Sequence, residues 1–277
     1  MSDLPDREAL AAFEALAAEL ARLAGAEVEA ALGRALMVGY KGAAESTRDP
    51  VSDVDHAVEV LLRARIGERH PEHDIIGEEI DDRPGRDHSH VWAVDPVDGT
   101  ANFVNGLPLF ASSIGLLIDG RPAVGAIWCS TSHLLRPGVY SASAGGILHF
   151  EGAPVARKPT PGIRARLLGL PEAIDLSDTR FHSRKTGSAA IECAFVAAGL
   201  LAGARFRTPN IWDVAGGAVL VQAAGGQVRL WNGADWAPLE SFAADAREGD
   251  LARWSAPMLV GQPDAMEALA ESGGAVG

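Results

Sequence analysis

Asp95 and Asp98 stand three positions apart in the segment Trp92-Ala93-Val94-Asp95-Pro96-Val97-Asp98-Gly99-Thr100. An apolar run delivers Asp95, and Pro96, which lacks an N–H and fixes φ, is expected to end the strand there. Gly99 lets the backbone turn closely around a ligand. With Thr100 it offers backbone N–H groups and a hydroxyl to an anion. Two carboxylates on one tight turn suit a hard cation such as Mg²⁺, which takes oxygen ligands in octahedral geometry. An Asx-rich surface turn would contain the same residues, so the chemistry depends on what else converges there.

Three further acidic segments are candidates. Gly77-Glu78-Glu79 closes a short apolar run, where the carboxyl end of a strand meets a loop. Trp212-Asp213-Val214-Ala215-Gly216-Gly217 sets Asp213 at a helix start, as an N-cap, a ligand or both. Asp55 lies on the helix that precedes Glu78. If ionised, Asp55, Glu78, Glu79, Asp95, Asp98 and Asp213 carry about −6, and without cations several would be forced to protonate. Two Mg²⁺ would leave about −2, and a bound dianion would restore about −4, so a third cation becomes plausible beside it, and the metals must precede the anion.

The surrounding elements follow from periodicity. Leu10, Phe13, Leu16, Leu20 and Leu23 recur at helical spacing within 7–32. Lys41 to Pro50 reads as a mobile polar loop, and Asp53 to His70 as a helix capped by Ser52 or Asp53. Ile75-Ile76 and Val91 to Val94 read as buried strands. Asp119-Gly120 between two apolar runs predicts a hairpin across Phe110 to Trp128, and Gly145-Gly146 another across Tyr140 to Phe150. Gly152 to Gly162, with three prolines, reads as a crossover between two halves. Beyond it, Leu167 to Leu170 forms a strand, Ser188 to about Leu201 a helix, and a second helix opens at Asp213 and stops at Gly225-Gly226. Val228 to Trp231 and Trp236 flank Asn232-Gly233 in a hairpin, and Pro257 to Val260 is a last strand. The mixture predicts a layered α/β or α+β protein.

The 277 residues carry 24 Lys+Arg against 37 Asp+Glu, a net charge of −13, which disfavours nucleic-acid or anionic-membrane surfaces. Two bound divalent ions would bring the charge to about −9. Hydrophobic content of 47% excludes a disordered chain. The longest helix-like apolar stretch, Cys193 to Ala204, falls short of the ~20 residues that span a bilayer. Cys129 and Cys193 are too far apart in sequence for a zinc motif, and the acidic N-terminus does not fit a secretory signal. A soluble, cytoplasmic protein is expected. No G-x-x-x-x-G-K-[ST] loop is present, which argues against a kinase or NTPase.

The motifs, taken together, resemble the inositol monophosphatase family, relatives of fructose-1,6-bisphosphatase, from about Lys41 to Gly226. The family's D-P-[IVL]-D-G-T followed by N-F is matched by Asp95 to Thr100 and Asn102-Phe103, its G-E-E by Gly77 to Glu79, and its W-D-x-A-[AG]-G by Trp212 to Gly217. Its D-x-V-[ST]-x-x-D is matched by Asp49 to Asp55. The resemblance implies an αβαβα sandwich in two subdomains. Residues 1–151 would carry most metal ligands, and 152–277 would supply Asp213 and the specificity segment. It implies that Glu78, Asp95, the Val97 carbonyl, Asp98 and Asp213 bind two or three Mg²⁺. Glu79 and the Asp55–Thr100 pair would position and deprotonate an attacking water, and Gly99 and Thr100 would hold phosphate. Hydrolysis of a small phosphate monoester follows, with inositol phosphate as the family default. A homodimer and lithium inhibition are family expectations.

The match thins at the substrate. Inositol phosphatases place an acid about seven positions before the Trp-Asp aspartate. Here Phe206 takes that place with Arg207 beside it, which puts inositol 1-phosphate in question. Arg207 could contact a second anionic group, and Lys185 and Ser188 fall in a segment that lines the family's substrate pocket; helix capping by Ser188 is the competing role. Histidinol phosphate, a sugar bisphosphate or a 3′-phosphonucleotide are alternative substrates. A non-catalytic, partner-binding protein on the same fold, including a partner of RNA machinery, is the alternative of another class.

Overall fold

The computed structural model describes residues 4–34, 36–41, 50–83, 87–156, 161–172, 180–245 and 250–271. Helix α1, Arg7–Ala31, starts at Asp6, whose side chain accepts from Ala9 N at 2.9 Å. Its buried stripe includes Leu10, Leu16, Leu20, Ala24 and Val28, at the spacing that keeps one face toward a core. A two-stranded ribbon follows, β1 (Val38–Tyr40) antiparallel to β2 (Pro50–Ser52). Most of the expected polar loop between Lys41 and Pro50 lies outside the described residues, as does Asp49 of the motif ending at Asp55. Helix α2, Asp53–Arg69, is capped by Ser52 in a reciprocal capping box with Asp55.

The first sheet holds seven strands in the order β3-β4-β5-β6-β7-β8-β9. They are β3 (His73–Gly77), β4 (Asp87–Asp98), β5 (Ala111–Ile118), β6 (Arg121–Cys129), β7 (Gly138–Ser143), β8 (His149–Phe150) and β9 (Ala153–Pro154). Among the described strands of this sheet, only β3 and β4 pair in parallel. The β5–β6 turn is the expected one, with Asp119 at φ 50° and Gly120 at φ 74°. The short helix α3 (Thr100–Val104) follows β4.

Pro96 does not end β4. Asp95 pairs with Ser113 and Asp98 with Ala111, so three steps on β4 face two on β5, which is a bulge. The bulge houses the residue that cannot donate to the ladder, while Ser112 Oγ donates to Pro96 O at 2.6 Å. Extra twist at this point turns Asp95 and Asp98 toward one pocket.

The second sheet has the order β11-β10-β12-β15-β13-β14. Its members are β10 (Arg166–Gly169), β11 (Phe181–Arg184), β12 (Gly203–Phe206), β13 (Gln227–Trp231), β14 (Trp236–Pro238) and β15 (Met258–Gly261). Helices α4 (Ala189–Ala198) and α5 (Ile211–Ala223) pack between the sheets, and α6 (Met266–Glu271) lies outside the second. The second of these central helices begins at Ile211, two residues before the expected start. Asn210 caps it, and Asp213 is its third residue, closing a capping box on Asn210 N.

Three apolar clusters fill the spaces between the five layers, one of them on both sides of the central helices. Leu20, Leu62, Trp92 and Leu116 join α1 and α2 to the first sheet. Ile127, Ile191, Val219 and Val260 surround α4 and α5 between the sheets, and Leu259, Met266 and Leu269 seat α6. The layers therefore run αβαβα, as the motifs imply.

One contact ties packing to chemistry. A Cβ on Gly125 of β6 would lie 2.1 Å from Gly216 O, and one on Gly216 would lie 2.7 Å from Ile114 O. Helix α5 thus rests backbone-to-backbone on β5 and β6, and Asp213, one turn earlier, is carried against the ends of the strands.

Candidate active site and metal centre

The β4 bulge brings Asp95 and Asp98 to the carboxyl end of β4, beside the carboxyl end of the parallel neighbour β3. Asp95 is 1% exposed, and its Oδ1 is buried without a hydrogen-bond partner. Burial pushes its carboxyl well above the usual range, reinforced by the charges of Glu78, Asp98, Asp213 and Asp55. Asp98 is pushed up to about 7, by burial first, although its Oδ2 accepts from Ala190 N at 2.5 Å and Ser188 Oγ at 2.7 Å. Asp213 is raised by burial and by Asp98, while its bond from Asn210 N opposes the shift. The carboxylates from β4, the Glu78 loop and α5 are thus near enough to raise one another's pKa.

Lys41, at the end of β1, places its ammonium 2.8 Å from Glu78 Oε1 and 2.6 Å from Glu79 Oε1. Burial disfavours its charge, yet the bonds to both glutamates outweigh that and raise its pKa. Glu79 is raised by burial, against the pull of Lys41. Sequence reasoning assigned Lys41 no role, because a lysine heading a polar stretch has no distinguishing pattern.

Asp55 is fully buried. Its Oδ2 accepts from Ser52 N and Oγ at 3.0 and 2.5 Å, and its Oδ1 lies 2.9 Å from Thr100 Oγ1. Burial raises the Asp55 carboxyl, and the Ser52 and Thr100 bonds partly offset this. The same Thr100 hydroxyl lies 2.8 Å from Val97 O. One hydroxyl proton faces two acceptors, so Thr100 is held between Asp55 and the Val97 carbonyl. Gly99 takes φ 89°, a left-handed turn that suits glycine, and an added Cβ would come within 3.1 Å of Leu109 O.

The second half of the chain closes the pocket at two points. Ser188 caps α4, accepting from Ile191 N at 3.1 Å, as the capping role expects, and also donates to Asp98 at 2.7 Å. Asn102 Nδ2 donates to Leu109 O at 2.6 Å and Thr186 O at 2.8 Å. The buried Glu192 accepts from Thr186 Oγ1 at 2.8 Å, and burial pushes its carboxyl up to about 7.

The other candidate substrate residues are placed differently. Phe206 is 7% exposed and packs in the core between the sheets, because β12 is buried along its whole length. Arg207 is exposed and pairs with Glu172 at 3.5 Å. Lys185 is exposed.

The acidic pocket fits divalent cations. Its donors are all oxygen, as hard cations require. Asp95 Oδ1 is an orphaned buried acceptor, and an ammonium already bridges Glu78 and Glu79.

A second cluster does not fit. His70, Glu72 and His73 bring candidate ligand atoms within 4.8 Å of one another. The two imidazoles stack at 4.4 Å with planes 8° apart. A metal roughly 2.1 Å from a ring nitrogen lies in that ring's plane, and two separated, nearly parallel planes share no such point. Trp92 Nε1 also donates to His73 Nδ1 at 3.1 Å, which leaves the neutral ring its proton on Nε2, facing Glu72.

Five alternating αβαβα layers thus carry an oxygen-lined acidic cluster at the end of β4. The chain belongs to the inositol monophosphatase family, which it matches over residues 9–259. It is 32% identical over 239 residues to an inositol-1-monophosphatase of Synechocystis sp., covering 81% of this chain and 80% of the relative. A protein of Pasteurella multocida named Nus factor SuhB is 34% identical over 199 residues, with 68% and 74% covered. The inositol monophosphatase from Anabaena sp. superposes with a TM-score of 0.71 at 28% identity, over 95% of each chain. Among the described residues, no helix is long and apolar enough to cross a membrane.

Proposed function

We propose that the protein is a Mg²⁺-dependent phosphomonoesterase that hydrolyses a small phosphorylated metabolite by direct attack of water. The observation that carries this is Asp95, a buried carboxylate with an orphaned oxygen, ringed by Glu78, Asp98 and Asp213. Glu78, Asp95, the Val97 carbonyl, Asp98 and Asp213 would hold two or three Mg²⁺. Bound there, the ions would offset the cluster's charge, acidify a water and stabilise the attacking and leaving oxygens. Glu79 and Thr100 would orient that water, with Asp55 holding the Thr100 hydroxyl and taking up the proton. The Gly99 turn and the Thr100 amide would receive the phosphate.

Inositol phosphate is the leading substrate class, supported by the family and by the relatives named for that activity. Phe206 cannot replace the missing acid, since it has no polar group and faces the core. Polyol recognition must therefore come from other residues. Histidinol phosphate, a sugar bisphosphate and a 3′-phosphonucleotide are the alternatives. Two buried free cysteines, Cys129 and Cys193, support a reducing, cytoplasmic setting, and a homodimer is proposed on family resemblance alone.

Phosphate release over a panel of these esters, with Mg²⁺ and with chelator, tests the reading. Mg²⁺-dependent turnover of at least one ester is expected. Inactivity across the panel would favour a partner-binding protein, a reading supported by relatives named Nus factor.

A further inference from the structure

The Glu78–Glu79 turn leaves β3 and enters a stretch, residues 80–83, with no strand or helix to satisfy its backbone. Backbone polar groups in such a stretch need other partners. They find them in two side chains of α2. Glu59 is 0% exposed, and its Oε2 accepts from Glu79 N at 2.7 Å while its Oε1 accepts from Ile80 N at 3.2 Å. Arg63, one helical turn on, donates Nε to Glu59 Oε1 at 2.7 Å. Its other two nitrogens donate to Ile80 O at 2.5 Å and Asp82 O at 2.7 Å.

We infer that Glu59 and Arg63 form a latch that positions Glu78 for cation binding, with Glu79 beside it, by holding the backbone of residues 79–82 through both its N–H and C=O groups. The inference rests on the metal-dependent reading of the site given above. Neither residue reaches the pocket itself; Glu59 acts through the amide of Glu79, the neighbour of the ligand candidate Glu78.

Three features favour this over a purely structural ion pair. The Glu59 carboxylate accepts two successive amides and a guanidinium, so its charge is directed at the turn. A Cβ on Gly77 would lie 2.0 Å from Glu59 Oε1, so the residue before Glu78 must be glycine for the latch to close. Finally, Lys41 holds the Glu78 and Glu79 carboxylates while Glu59 and Arg63 hold the backbone, so the turn is fixed through both. Removing groups that orient metal ligands typically costs about 10–100-fold in affinity. Gln at position 59 would turn a donor toward Arg63 Nε or a backbone N–H, so it cannot hold all three bonds.

The test measures Mn²⁺ binding by calorimetry, and amide hydrogen exchange in metal-free protein, for wild type, Glu59→Gln and Arg63→Lys. The expected result is Mn²⁺ affinity at least tenfold weaker in Glu59→Gln, with Glu79 and Ile80 amides exchanging faster while β4 amides stay protected. Arg63→Lys, which keeps the charge but loses the fork, should show a smaller loss in the same direction. If Glu59→Gln fails to fold, Arg63→Lys decides by the same two readouts. Affinity and exchange unchanged within twofold in a folded variant would overturn the latch and leave the metal site standing. Absence of Mn²⁺ binding in wild type would overturn both.

Discussion

Ser188 donates its hydroxyl to Asp98 Oδ2 at 2.7 Å across 90 positions of sequence. A helix cap in the second half of the chain is thereby fastened to a metal-ligand candidate in the first. Ser188→Ala removes the cap bond to Ile191 N and the Asp98 bond together. A loss of about 1 kcal/mol in stability is expected from the cap. Thermal melting should show it, and the Mg²⁺ concentration for half-maximal activity should rise.

The Lys41 ammonium is the cation that Glu78 and Glu79 share. Lys41→Met leaves two neighbouring carboxylates without it, so the metal-free protein should melt lower. Saturating Mg²⁺ should recover more of the melting temperature in the variant than in wild type. An equal Mg²⁺-induced shift in both proteins would remove Lys41 from the site's charge balance.

The raised carboxyls give a signed pH dependence. Asp98 and Glu192 are pushed from the usual carboxylate range to about 7 by burial, and Asp55, Glu79, Asp95 and Asp213 shift the same way. The folded state then holds more protons than the unfolded one between pH about 4 and 7, so stability falls as pH rises through that window. Metal-free protein should melt higher at pH 5.5 than at 7.5. Saturating Mg²⁺ should flatten or reverse the trend, since it binds the ionised carboxylates. A metal-free melting temperature that climbs from pH 5.5 to 7.5 would contradict the assignment.

The close approach of Gly125 and Gly216 predicts a packing effect that reaches the site. Gly125→Ala inserts a methyl into a gap where Gly216 O already stands 2.1 Å from the ideal Cβ position. Overpacking of this kind costs about 1–3 kcal/mol, and α5 must move away from the sheet. A lower melting temperature and weaker Mg²⁺ binding should appear together, because Asp213 moves with the helix.

The sequence signals were strongest where a residue's local role and its functional role agree. Asp95, Asp98, Gly99 and Thr100 share one turn, and Asp119-Gly120 names its hairpin by composition alone. What escaped was set by tertiary context. Pro96 marks a strand end in isolation, but a bulge keeps it within the ladder. The strand β11, with the pattern Phe-His-Ser-Arg, has little apolar content because it lies at a sheet edge. Phe206 aligned with a substrate position, yet the strand carrying it is buried between two layers. Glu59 and Arg63 look like a solvated helical pair at four-residue spacing. Only the path of the chain after β3 shows that they face backbone and not water.

Phosphate release by wild type and Asp98→Asn, each with saturating Mg²⁺ and with chelator, addresses the central claim most directly. The account predicts turnover of at least one ester by wild type that depends on Mg²⁺ and disappears with chelator. It predicts a loss of two orders of magnitude or more in Asp98→Asn with the fold intact. Equal activity with and without Mg²⁺, or an Asp98→Asn enzyme as active as wild type, would contradict it.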